Sequence, residues 1–177
     1  MSTNKIYNTL KIYLLGYMGS GKSTVGKKLA ALLDLDHIDL DWFFEETYKI
    51  NVVNFFRKYD ENAFRLIEHQ LVKKTAAINN CVISTGGGTP CFHGNMDLIN
   101  SFGFSVYIRM HPESSFVRLK NSKRARPRIT KLSDEDLMQR ILNDLDHREK
   151  FYKMAKLEVG GEDIDVEALA EELKSLI

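Results

Sequence analysis

The sequence predicts an α/β fold, a parallel sheet covered by helices, and three observations carry that prediction. Short apolar runs alternate with stretches of helical periodicity. A glycine-rich turn joins the first run to the first helical stretch. The chain has 177 residues, 44% of them hydrophobic and 28% charged, which is enough for one packed domain without disulfides or a structural metal.

The elements follow in order. KIYLL at 11–15, HID at 37–39, CVIS at 81–84, FSVYI at 104–108 and KLEV at 156–159 are five candidate strands. Between the first two, Val25, Leu29, Leu32 and Leu33 repeat at helical spacing, and near the end Val166, Leu169, Leu173 and Ile177 do the same. Both stripes are expected to face the core. Two regions break the alternation: a mostly helical insertion from about Asp41 to Asn79, placed to cover a substrate, and KNSKRARPRITK from Lys120 to Lys131, which reads as a mobile loop. There is no internal repeat and no Pro- or Ser-rich linker.

Composition excludes several function classes. A formal net charge of +1 is ordinary for a soluble protein, so nucleic acid is not favoured as the main partner. Cys81 and Cys91 are the only cysteines, and no CxxC or His pair stands at ligand spacing, so both read as free thiols. No apolar run approaches the ~18 residues of a membrane span. The N-terminal apolar stretch contains Lys11 and runs into the glycine turn instead of a cleavage site, which predicts a cytoplasmic enzyme.

The glycine turn carries the chemistry. Gly16, Gly21, Lys22 and Ser23 satisfy G-x-x-x-x-G-K-[ST], with a candidate strand before and a helix after, the context of a phosphate loop. Glycines let successive backbone N–H groups point into one concavity, the helix N-terminus adds positive potential, and Lys22 bridges terminal phosphates. Ser23 supplies a hydroxyl for Mg²⁺. A dinucleotide fingerprint fails because Thr24 stands at the third glycine position. The expected ligand is a nucleoside triphosphate.

An acceptor has to be sought elsewhere. HIDLD places Asp39 and Asp41 two residues apart at the end of the second strand, where open α/β sheets bind ligands. In an extended segment both point the same way, Asp39 toward a metal and Asp41 toward an acceptor hydroxyl. The plainer alternative is that one or both cap the next helix. TGGGTP at 85–90 suits close approach to a small polar substrate, or is a flexible turn. The metal-binding aspartate of many phosphate-loop proteins would fall where Ser84 stands, so a metal contact there would run through water. Arg65 and Glu68 share a helix face, and Arg148 lies in DHREKFY. Alone, each reads as a solvated charge, and spacing cannot pair Arg65 with Arg148.

Together these segments resemble the shikimate kinase family, phosphate-loop proteins akin to nucleoside monophosphate kinases. The residues are GYMGSGKSTVGKKLA, DLD at 39–41, FF…E…FRLIE from Phe55 to Glu68, STGGGTP, RPR at 126–128 and HREKFY, in the family's order over roughly residues 11–159. The resemblance implies a three-layer fold with a five-stranded parallel sheet in the order 2-3-1-4-5, and transfer of the γ-phosphoryl of ATP to the 3-hydroxyl of shikimate. The setting would be chorismate and aromatic amino acid synthesis. It implies ATP binding by Gly19, Ser20, Gly21, Lys22, Ser23 and Thr24, and Mg²⁺ at Ser23 and Asp39. Asp41 would serve the acceptor hydroxyls. Arg65 and Arg148 would take the shikimate carboxylate, with Gly86, Gly87 and Gly88 lining that pocket, Phe56 and Phe64 packing on the ring, and Glu68 fixing Arg65. Arg126 would come from a lid at about 120–131 to the transferring phosphate, and Arg118 would stand on the adenine side. A monomer is expected.

Two departures stand out. Asp60 occupies a usual glycine position, and Arg126-Pro127-Arg128-Ile129 replaces RPLL, leaving open which arginine reaches the phosphate. A kinase for another small acid such as gluconate would use the same phosphate loop, but the GGG turn and the two arginines weigh against it. A GTPase switch would need an N/T-K-x-D motif after the fourth strand, and none stands there. The six basic residues between Lys120 and Lys131 (Lys120, Lys123, Arg124, Arg126, Arg128, Lys131) suit charge neutralisation beside ATP better than nucleic-acid binding.

Overall fold

The computed structural model describes residues 10–122 and 132–177. Five strands, β1 (Lys11–Leu15), β2 (Asp36–Asp39), β3 (Cys81–Ser84), β4 (Phe104–Arg109) and β5 (Leu157–Gly160), pair in parallel in the order β2-β3-β1-β4-β5. Each lies within one residue of its expected run. Eight α-helices accompany them among the described residues: α1 (Lys22–Leu33), α2 (Leu40–Tyr48), α3 (Val52–Lys58), α4 (Glu61–Lys74), α5 (Asn95–Phe102), α6 (Pro112–Lys120), α7 (Asp134–Tyr152) and α8 (Val166–Leu176). The helical insertion is therefore α2, α3 and α4.

Period-two alternation divides the core into two layers. Ile12 and Leu14 face α1 and α8 through Leu29, Leu169 and Leu173, whereas Tyr13 and Leu15 face the other side, with Val72, Ile99 and Tyr152. Both faces of β1 are covered, which is why KIYLL reads as a continuous apolar run instead of an alternating one. Lys11 joins that buried strand because its Nζ donates to the carbonyls of Thr75 (3.1 Å) and Ala76 (2.5 Å) at the end of the insertion. Truncating Leu14 to Ala would cost about 2–5 kcal/mol.

The two helical stripes need one correction. Val25, Leu29, Leu169 and Leu173 are buried, but Leu32 and Ile177 are both 43% exposed. Spacing sets a direction around the helix axis; it does not say whether a neighbouring layer reaches the last turn.

Strand order positions the functional end. The chain leaves β1 toward β2 on one side and leaves β3 toward β4 on the other, so the crevice between the ends of β1 and β3 is the topological switch point. Residues 16–21 and 85–88 meet there. Thr85 holds them together, donating its N–H (3.1 Å) and its hydroxyl (2.9 Å) to the Leu14 carbonyl.

Candidate active site

Most helices of this chain close their first turn with a side chain: Asp39, Asn51, Asp60, Ser133 and Asp165 cap α2, α3, α4, α7 and α8. Helix α1, like α5 and α6, has no such cap. Its N-cap is Gly21, in the left-handed region at φ 91° and with no side-chain cap, so the first-turn N–H groups are left to face a ligand. Lys22 folds over the loop, its Nζ donating to the carbonyls of Gly16 (2.8 Å) and Tyr17 (2.7 Å) and to Ser20 Oγ (3.3 Å). Ser20 is buried and holds the turn from within.

A cavity of about 340 Å³ opens above this turn. Gly19, Gly21, Lys22, Ser23, Thr24 and Arg118 line one side, and Asp39, Asp41, Gly86 and Gly87 the other. Arg118 spans the rim, donating to the carbonyls of Gly19 (3.4 Å), Gly161 (3.1 Å) and Glu162 (3.1 Å). It thereby ties the phosphate loop to the segment after β5, a contact with no trace in the residues GGED.

The two aspartates divide differently from the expectation. Strand β2 ends at Asp39, and Asp41 sits in the first turn of α2, so strand alternation is not what aims them. The backbone turns into a helix because Asp39 caps it, Oδ1 accepting from the N–H groups of Asp41 (3.0 Å) and Trp42 (3.5 Å). Asp39 Oδ2 is left for Ser23, whose hydroxyl donates to it at 2.5 Å. The cap and the metal-facing readings of Asp39 are thus compatible, one on each oxygen. Asp41 reaches the same cavity beside Gly86, where an added Cβ would stand 3.5 Å from its Oδ1.

Ser23 and Asp39 fit a hard cation. Mg²⁺ takes one or two protein oxygens and completes its shell with water and phosphate. A hydroxyl and a carboxylate in contact beside a phosphate loop are that donor set. Ser84 is turned away from the cavity, since its hydroxyl donates to the Lys22 carbonyl (2.9 Å) and accepts from His37 Nε2 (3.0 Å). With the serine proton committed to Lys22, His37 must carry its own proton on Nε2. Burial pushes the His37 pKa down, opposed by the Asp39 charge and helped by Lys27.

Arg65 and Arg148 do not line the cavity itself. They flank the Gly86–Cys91 turn just below it. Arg65 is buried and pairs with Glu68 (2.7 Å) and Glu61 (3.1 Å), as its helical spacing predicted for Glu68. Gly88 has room only for hydrogen, because a Cβ there would press into the Arg65 guanidinium. Arg148 is equally buried, pairs with Asp144 (3.1 Å) and neighbours Tyr152, whose hydroxyl donates to the Gly87 carbonyl. Both guanidiniums act on one thiol: burial drives the Cys91 pKa up to about 11, while Arg148 and Arg65 pull it down. Helices α4 and α7 both contact the Thr89–Cys91 turn, so the tertiary fold brings near one turn two arginines that spacing could not relate.

Other expected residues are placed as follows. Phe64 is buried in an aromatic cluster with Phe44 and Phe55, its ring 5.4 Å from the Arg65 guanidinium, and Phe56 packs on it at 4.8 Å. Phe92 lies closer to Arg65, at 4.4 Å, and sequence reasoning missed it. Asp60, the departure at a glycine position, is the α4 cap, its Oδ1 accepting from Ala63 N–H at 2.8 Å. Arg126 and Arg128 lie outside the described residues, as does most of the expected lid. Tyr17, Asp144 and Tyr152 were also missed; each is joined to its partner across a large sequence separation, with no local motif to mark it.

A phosphate loop on the central strand, a carboxylate pair where β2 runs into α2 and an arginine-flanked glycine turn after β3 define an ATP-dependent small-molecule phosphotransferase. Comparison with known proteins narrows the class. The family model for shikimate kinase matches residues 18–177. The shikimate kinase of Phocaeicola vulgatus is 42% identical over 146 residues, covering 82% of this chain and 83% of its own. That of Bacteroides thetaiotaomicron is 37% identical over 172 residues, covering 95% and 98%. A crystal structure of the B. thetaiotaomicron shikimate kinase superposes with a TM-score of 0.87, at 38% identity and 95% and 98% coverage. The Acinetobacter baumannii shikimate kinase in complex with shikimate gives 0.83, at 27% identity and 96% and 93% coverage. The chain belongs to the shikimate kinase family, enzymes that transfer the γ-phosphoryl of ATP to the 3-hydroxyl of shikimate.

Proposed function

We propose that this chain performs the family reaction as one folded unit, a cytoplasmic monomer, with the residues around the 340 Å³ cavity in separate roles. The observation that carries the assignment is the meeting of Ser23, Asp39, Asp41 and Gly86 around the Lys22 turn. ATP phosphates sit on the backbone N–H groups of residues 19–24, and Lys22 exchanges its loop carbonyls for phosphate oxygens. Ser23 and Asp39 would hold Mg²⁺, which would supply charge neutralisation on the phosphates.

Asp41 accepts the proton of the shikimate 3-hydroxyl, or orients that hydroxyl for in-line attack. Arg65 and Arg148 take the carboxylate at the far end of the ring, and Gly86, Gly87 and Gly88 let the ring approach the backbone. Arg118 holds the nucleotide-side rim, and Arg126 or Arg128 completes the charge on the transferring phosphate. Catalysis in this arrangement is positioning plus preset charge, which is what phosphoryl transfer asks of a protein.

A coupled ADP-release assay over shikimate, quinate, gluconate and nucleoside monophosphates tests the reading. Turnover is expected with shikimate and to be lost in Lys22→Ala. Turnover with a nucleotide or gluconate and not with shikimate would overturn it.

A further inference from the structure

Helix α7 carries Arg140, Asp144 and Arg148 four residues apart, on one face. Asp144 stands between the two arginines: its Oδ1 meets Arg148 at 3.1 Å and Arg140 Nε at 3.3 Å. The other oxygen, Oδ2, accepts from the Tyr17 hydroxyl at 2.9 Å. Tyr17 is 2% exposed and belongs to the phosphate loop, two residues before Gly19. Its ring also lies 5.5 Å from the Arg148 guanidinium. Burial, then the Asp144 charge and hydrogen bond, drive the Tyr17 pKa upward, so the phenol keeps its proton and remains the donor.

We infer that Asp144 is a positioning residue for the acid substrate, held by the phosphate-loop residue Tyr17 and in turn holding Arg148 against the glycine turn. The inference rests on the reading of Arg148 as a carboxylate ligand. Its consequence is unusual for a loop that binds nucleotide: the Tyr17 hydroxyl serves the acid and not ATP. Tyr17 carries that hydroxyl away from the phosphates to α7, while its own carbonyl takes the Lys22 ammonium.

Charge counting gives the inference a sign that can be tested. Around Asp144 two cations meet one carboxylate, an excess of one positive charge. Asp144 is therefore outnumbered by the cations it touches. If Asp144 acted only through its charge, its removal would raise that excess and tighten acid binding. If it acts by position, removal frees Arg148 to leave its place and weakens acid binding.

The test measures KM for shikimate, shikimate methyl ester and ATP in wild type, Tyr17→Phe, Asp144→Ala, Asp144→Asn and Arg148→Ala. Asp144→Ala is expected to raise KM for shikimate about tenfold, near the low end of what a hydrogen bond to a charged group contributes. KM for ATP and for the ester should move less than about twofold. Asp144→Asn, which keeps an acceptor for Arg148, should return KM for shikimate to near wild type. Tyr17→Phe should raise it several-fold, and no further in the Asp144→Ala background. Thermal melts keep folding separate, and Tyr17→Phe is the variant least able to disturb the core.

A shikimate KM that is unchanged or lowered in Asp144→Ala overturns the inference, as does a parallel rise in KM for ATP in Tyr17→Phe. If Arg148→Ala weakens acid use while the Asp144 and Tyr17 variants do not, the inference alone fails. If Arg148→Ala is itself silent, the reading beneath it fails as well.

Discussion

Removing Arg65 should do two things that can be separated. Arg65 is 6% exposed, and its guanidinium bonds Glu68, 4% exposed, at 2.7 Å; Glu68 Oε1 in turn accepts from the Thr89 hydroxyl at 2.5 Å. Arg65→Ala thus leaves a buried carboxylate with one neutral donor and no countercharge from its own helix face. Stranding one half of a buried pair costs about 3–5 kcal/mol, a large share of the ~5–15 kcal/mol that holds a domain folded. At ~2–4 °C per kcal/mol for a chain of this size, the melting temperature should fall by roughly 6–20 °C. Loss of the carboxylate contact should separately lower kcat/KM for shikimate about ten- to a hundredfold.

The double variant Arg65→Met/Glu68→Gln divides the effects, because glutamine still accepts from Thr89 and carries no charge. Its melting temperature should recover most of the loss, while kcat/KM for shikimate stays low and that for the neutral methyl ester stays near wild type. Equal losses with acid and ester in the double variant would show that Arg65 acts through folding or lid closure and not on the carboxylate. An unchanged melting temperature in Arg65→Ala would refute the cost assigned to Glu68.

Three further outcomes follow from the same geometry. Asp41→Asn should bind Mg-ATP almost normally and transfer poorly, whereas Asp39→Asn should shift the Mg²⁺ titration and lose part of the α2 cap; superimposable titrations would end the division between them. Gly88→Ala should raise KM for shikimate and leave KM for ATP in place, because its methyl group displaces a guanidinium clamped by Glu68 and cannot be absorbed freely; a normal shikimate KM would show that Arg65 moves without consequence. His37, with its pKa lowered by burial, binds fewer protons folded than unfolded, so its contribution to stability is lost as pH falls below about 6.5. Urea melts at about pH 7.5 and about pH 5.5, on either side of that ordinary histidine value, should therefore show a smaller drop for His37→Gln than for wild type, and equal drops would remove His37 from that pH dependence.

Much of the site was legible because its signals are local. The phosphate loop needs closely spaced glycines, one lysine and one hydroxyl in a single short turn, and it lies where the motif placed it, between β1 and α1. Asp39 and Asp41 both reach the cavity, but strand alternation is not the reason. Whether HIDLD continues as strand or turns into helix depends on Asp39 capping its own successors, and both outcomes suit the same five letters. Arg65 and Glu68 pair as their spacing requires, because three residues on a helix bring side chains together whatever surrounds them.

Short-range physics thus governs everything that could be read from the residues alone: strand runs buried on both faces, helical periodicity, and the backbone demands of a phosphate-binding turn. Packing settled the remainder. Arg65 and Arg148 lie by one glycine turn because α4 and α7 both pack against the Thr89–Cys91 segment after β3, and nothing in either helix encodes the other's distance. Tyr17 finds Asp144 across 127 residues for the same reason. Such contacts have no period and no motif; they form where sheet order brings two elements together and a buried polar atom must find a partner there or bear the cost of having none.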